Sequence, residues 1–85
     1  MTLVHAGFGK FLRAQDITAI TLPTSAPIQR MIKDAKKEKR SLNYTGGRRT
    51  KAVVFTESGQ IVLVAITPEA LAGRVTLARQ GNLQD

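Results

Sequence analysis

Arg48, Arg49 and Lys51 stand just behind two glycines in the segment Gly46-Gly47-Arg48-Arg49-Thr50-Lys51, and together they form an inventory for holding phosphate. A guanidinium offers a planar fork of N–H donors that matches phosphate oxygens bidentately, an ammonium adds a point charge, and a glycine turn presents backbone amides beside them. The plain alternative is a solvated basic turn, which is what runs of charge usually are. Nothing comparable exists for catalysis. His5 is the only histidine and sits among Leu3, Val4 and Ala6, as a strand residue would. The acids Asp16, Asp34, Glu38, Glu57, Glu69 and Asp85 are scattered, whereas acid/base work by carboxylates needs a close pair whose surroundings push their pKa values apart. Asp34 and Glu38 are four residues apart on a lysine-rich segment, a spacing that suits pairing with nearby cations. With no cysteine in the chain, thiolate nucleophiles, disulfides and thiolate metal sites are excluded. No catalytic residue, metal site, cofactor or small-molecule substrate is therefore expected. Gly7-Phe8-Gly9 and Gly46-Gly47 lack the further glycines and the Lys-Ser/Thr ending of nucleotide loops, and read as backbone bends.

The whole chain carries the same sign as that turn. Thirteen Lys and Arg against six Asp and Glu give +7 over 85 residues, an excess that favours a polyanion as partner, with nucleic acid foremost. Binding to an anionic membrane surface would want an amphipathic helix with bulky apolar residues, and only 5% of the chain is aromatic. The length allows one domain with a modest core, expected over residues 1–80, with a frayed tail at 81–85. Neither a membrane span nor a signal-peptide pattern is apparent, so a reducing cytoplasmic location is expected.

The elements that position the turn follow from pattern. Leu3 to Leu12 mixes strand formers with two glycines, as a strand broken by a bulge or tight bend does. Ile17–Leu22 alternates like a half-buried strand and Pro23 ends it. Ser25 then caps a helix with Pro27 in its first turn, running to about Lys39. Its Ile28, Met31, Ile32 and Ala35 make one apolar stripe, with Arg30, Lys33, Lys37 and Arg40 opposite. Leu42–Thr45 reads as a short strand before the basic turn, and Lys51–Phe55 and Ile61–Ile66 as a hairpin. Thr67 caps a second, shorter helix whose packed face is Leu71, Val75 and Ala78. Six consecutive apolar residues in the second hairpin strand imply two buried faces, while two small helices would cover only one. Either the N-terminal strands curl over the other face or a second subunit does. The expected fold is α+β: a small, curled antiparallel sheet with one long and one short helix.

In this order and spacing, Gly7-Phe8-Gly9, Ser25-Ala26-Pro27-Ile28-Gln29-Arg30-Met31-Ile32, Gly47-Arg48-Arg49-Thr50-Lys51-Ala52-Val53-Val54 and Thr67-Pro68-Glu69 are specific. From about Leu3 to Arg74 the chain resembles the RemA family of bacterial matrix regulators. That resemblance implies a DNA-binding transcriptional regulator, nucleoid-associated, assembled into a closed homo-oligomeric ring with basic residues on its rim. Family members activate matrix and osmoprotection genes in spore-forming bacteria. It also implies that Arg48 and Arg49 are the family's paired DNA-contacting arginines, while a third such arginine falls here on Asp16. An acid there repels phosphate, and Arg13 or Lys10 could compensate from nearby. The expected DNA contacts are thus Arg48, Arg49, Lys51 and Arg13, to double-stranded DNA. The alternative is a protein-interaction or RNA-binding scaffold using the same basic turn.

Overall fold

A computed structural model describes residues 2–84, with side chains described over residues 2–80. Two strands, β1 (Leu3–Gly7) and β2 (Lys10–Arg13), form an antiparallel hairpin, so the expected break in the first strand is a full reversal of the chain. Its loop is the pair Phe8-Gly9, and both residues have positive φ (54° and 73°), the backbone that a two-residue hairpin with the sheet's own twist demands. A 3-10 turn, Ala14–Asp16, leads into β3 (Ile17–Thr21).

The first helix, α1 (Ala26–Lys37), begins as its sequence dictates. The Ser25 hydroxyl accepts the Ile28 N–H at 3.3 Å, and Pro27 occupies the first turn, where a missing N–H costs no helical bond. Strands β4 (Ser41–Tyr44), β5 (Ala52–Thr56) and β6 (Ile61–Val64) follow, and α2 (Pro68–Gln84) closes the chain. Thr67 caps α2 through its hydroxyl, which accepts the Ala70 N–H at 3.3 Å.

Three expectations need correction. The sheet is not a single antiparallel one: β1-β2 stands apart from a four-stranded sheet of order β3-β5-β6-β4, in which β4 and β6 are parallel. The two edge strands β3 and β4 run the same way, a parallel arrangement that requires a crossover of a dozen or more residues, and α1 is that crossover. Next, α2 is the longer helix, 17 residues against 12, because no proline follows Pro68 and its two glycines, Gly73 and Gly81, are tolerated at about 1 kcal/mol each. The frayed end expected at 81–85 falls where side chains are not described, and Asp85 lies outside the described residues. Finally, both faces of β6 are covered within one chain. Val62 and Val64 pack with Ala52, Val54, Val4, Ala6, Leu71 and Val75, beneath the hairpin and α2. Ile61 and Leu63 pack with Val53, Ile32 and Ala35, beneath α1. One helix serves each face, so the run of apolar residues in β6 requires no second subunit.

Candidate nucleic-acid interface

The basic turn lies where topology leaves it most exposed. Tyr44 of β4 and Ala52 of β5 both pair with Val64 at the end of β6, one on each side. The connecting loop therefore arches over the chain as β6 leaves the sheet. Its two ends are fixed. The Asn43 side-chain oxygen accepts both the Thr45 N–H (3.0 Å) and the Thr45 hydroxyl (2.6 Å), and Thr45 is buried. The Thr45 carbonyl in turn accepts the Arg48 N–H at 3.0 Å, and Lys51 N–H donates to the Val64 carbonyl at 2.9 Å. Between these anchors Gly46 and Gly47 hold φ of 62° and 82°, a reversal that side-chain-bearing residues seldom adopt. Arg48, Arg49 and Lys51 all face solvent.

The N-terminal hairpin turn supports this loop from one side. The Phe8 ring lies over Gly46, where a Cβ would come within 2.9 Å of ring carbons, and the Arg48 guanidinium lies 5.5 Å from the ring centroid, within cation–π range. Lys10 sits beside it, its ammonium 5.7 Å from the Tyr44 ring. The side chains of Phe8 and Arg48 thus brace each other, and Gly46 is glycine both for its φ and for the space the ring takes.

The loop forms a ridge between two clefts. On the hairpin side a cleft of about 550 Å³ is lined by Arg48, Arg49, Lys51 and Arg74 over a floor that includes Ala65 and Ile66. On the far side a smaller one, about 290 Å³, is shared by Arg49 and Lys51 with Leu22, Pro23 and Glu69. Arg74 reaches the larger cleft from α2, and one of its N–H groups donates to the His5 carbonyl at 2.8 Å.

The structure brings together Arg48, Arg49 and Lys51, adds Lys10 at the margin, and sets Arg13 apart. Arg13 pairs with Leu3 at the other end of the hairpin from the Gly7–Lys10 pair, about 10 Å along the strand at 3.4 Å per residue. Asp16 is farther still: its carbonyl accepts the Glu57 N–H beyond the end of β5, five residue steps or about 17 Å from the start of that strand. Within one chain this carboxylate does not face the arginine loop. Phe8 and Arg74 were not singled out by sequence reasoning. A bulky aromatic between two glycines was an available signal for Phe8; Arg74 carried none beyond its charge. Among the described residues, no cluster of three or more His, Asp or Glu could hold a metal ion, and no helix is long and apolar enough to cross a membrane.

Residues 3–75 match the family described as RemA-like, extracellular matrix regulatory protein A-like. A protein of Dehalococcoides mccartyi, provisionally named a regulatory protein, is 47% identical over 82 residues, covering 96% of this chain and 85% of the relative. A similarly named protein of Synechococcus elongatus is 44% identical over 77 residues, covering 91% and 88%, and one of Trichormus variabilis is 42% identical over 78 residues, covering 92% and 89%. The chain belongs to the RemA-like family.

Proposed function

We propose that this member of the RemA-like family is a DNA-binding regulator that works as a homo-oligomeric ring, each subunit offering the loop at Arg48, Arg49 and Lys51 to the phosphates of duplex DNA. The observation that carries the reading is the loop itself. It has three exposed cations, is pinned at both ends to the sheet, and has no carboxylate on its hairpin side. Such a ridge meets a phosphate backbone without ordering a flexible segment first, so little of the contact energy is lost to immobilisation. Its relatives' names, which describe regulatory proteins, agree with a role in control rather than catalysis.

One loop supplies few contacts, and repetition around a ring raises avidity through effective concentration. With β6 covered from within, support for assembly comes from the outer face of the hairpin, where Leu3 and Phe11 are each more than half exposed. Apolar residues on one strand pair facing solvent mark an interaction surface, and a second copy of the chain is the occupant proposed. Among the described residues no helix presents amides and arginines outward at groove spacing, so on this reading DNA shape and deformability carry the sequence preference.

The test is a duplex mobility shift with the double variant Arg48→Ala, Arg49→Ala, alongside native mass measurement. Loss of the shift with unchanged particle mass is expected, and retained binding sinks the proposal. The alternative is a protein-interaction or RNA-binding scaffold that uses the same loop. Competition between duplex DNA and RNA of equal length separates the two readings.

A further inference from the structure

The larger cleft beside the arginine loop adds to the three loop cations a fourth, Arg74, and an apolar floor at Ala65 and Ile66. Four cations line it, from two different elements, and no carboxylate does. The one ion pair among the described side chains, Arg40 with Glu38, lies beyond the end of α1, away from the cleft. The back wall is Arg74, which is tied to the His5 carbonyl. Arg carries five N–H donors, so most remain for a ligand. The floor at Ala65 and Ile66 is half buried and largely apolar, and Phe8 at the mouth is half exposed. At about 550 Å³ the cleft has room for a small molecule, and it is open to solvent.

We propose that this cleft binds a free nucleotide carrying two or more phosphates, and that the bound nucleotide competes with DNA for the arginine loop. The competition clause rests on the DNA-binding reading above; the nucleotide site does not. Four cations without counter-charge call for more than one negative charge on the ligand, which a nucleoside diphosphate has and a monoanion lacks. Bidentate guanidinium contacts, which Arg49 and Arg74 can offer, suit adjacent phosphoryl groups. The apolar floor and the Phe8 ring give a planar base a surface that inorganic phosphate does not use. A ligand held this way draws Arg48 and Arg49 inward and lowers the charge of the ridge, so that nucleotide supply sets DNA occupancy.

The experiment is calorimetric titration of the full chain with ADP, GDP, inorganic pyrophosphate and adenosine, paired with duplex binding in the absence and presence of ADP. The variant is Arg74→Gln, which lies off the ridge and keeps an amide donor for the His5 carbonyl. Expected are binding of a nucleoside diphosphate more tightly than pyrophosphate, no binding of adenosine, and weaker duplex binding when ADP is added. Arg74→Gln should weaken the diphosphate by about tenfold or more, as loss of a charge-assisted hydrogen bond does, and leave duplex affinity within about twofold. If that variant fails to fold by circular dichroism, Phe8→Gly replaces it, with loss of the preference for ADP over pyrophosphate expected. Duplex binding with no diphosphate binding overturns the nucleotide site and leaves the DNA reading standing. Diphosphate binding with no duplex binding does the reverse. Pyrophosphate binding as tightly as ADP, or full affinity in Arg74→Gln, overturns the nucleotide assignment.

Discussion

Phe8 holds a positive φ in an exposed turn, where a bulky residue pays for its backbone with about 1 kcal/mol or more that glycine would not. Strain kept in an exposed position points to what the side chain does, and here the ring fills the space above Gly46 and faces the Arg48 guanidinium. The two effects can be separated by substitution. Phe8→Gly fits the turn and removes the ring, so thermal stability should stay within about 1 kcal/mol of the parent. DNA affinity should fall by about two- to fivefold, the worth of an exposed cation–π contact. Fluorescence anisotropy and a melting curve on the same preparation check this, and undiminished affinity would show that Arg48 needs no brace. Gly46→Ala attacks the same contact from below: its Cβ meets the ring at 2.9 Å and its backbone is left-handed. A loss of about 1 kcal/mol or more is expected in chemical denaturation.

At the scale of elements, the end of α1 repeats the same economy with a different residue. Lys39 has φ of 59°, its N–H donates to the Lys36 carbonyl, and the Arg40 N–H donates to the Ala35 carbonyl at 2.7 Å. This is the paired bond pattern of a Schellman ending, in which glycine usually holds the left-handed position. Lys39→Gly should therefore raise stability by about 0.5–1 kcal/mol, seen as a higher denaturation midpoint at unchanged slope, and a lower midpoint would contradict it. The missing glycine also explains why the sequence places the helix end only approximately. What could be read in advance was local: the Ser25 and Thr67 caps, the β5-β6 hairpin around Gly59, and the arginine loop, each specified by a few adjacent residues. What could not be read was non-local. Nothing near Leu42 marks β4 as parallel to β6, because strand order is set by which edge α1 can reach. The cleft, too, joins Phe8, Arg48 and Arg74 from distant parts of the chain, and no spacing links them. The doubly apolar β6 left two coverings open, the N-terminal strands or a partner, because both helices were assigned to one face; the hairpin does cover one face, and α1 and α2 lie on opposite faces.

At the scale of the whole molecule, charge and assembly make a joint demand on how binding responds to salt. Each neutralised phosphate contributes about −0.9 to the slope of log affinity against log salt on duplex DNA. On the proposed reading, three cations in one loop give a lone subunit that binds through the loop alone a slope of about −2.7. Several subunits bound to one duplex multiply that slope by the number of loops engaged. Phe11→Glu places a charge on the exposed face of the hairpin, opposite His5, while the buried Val4 and its half-buried partner Leu12 keep the fold. Expected are a monomeric mass, unchanged circular dichroism and a slope that collapses toward the single-loop value. A steep slope retained by a monomeric variant would mean that cations outside the loop, Arg13 or the α1 face, supply the contacts. A particle mass unmoved by Phe11→Glu would place the assembly surface elsewhere, with the exposed Leu22, Met31 and Leu77 as further apolar positions to test.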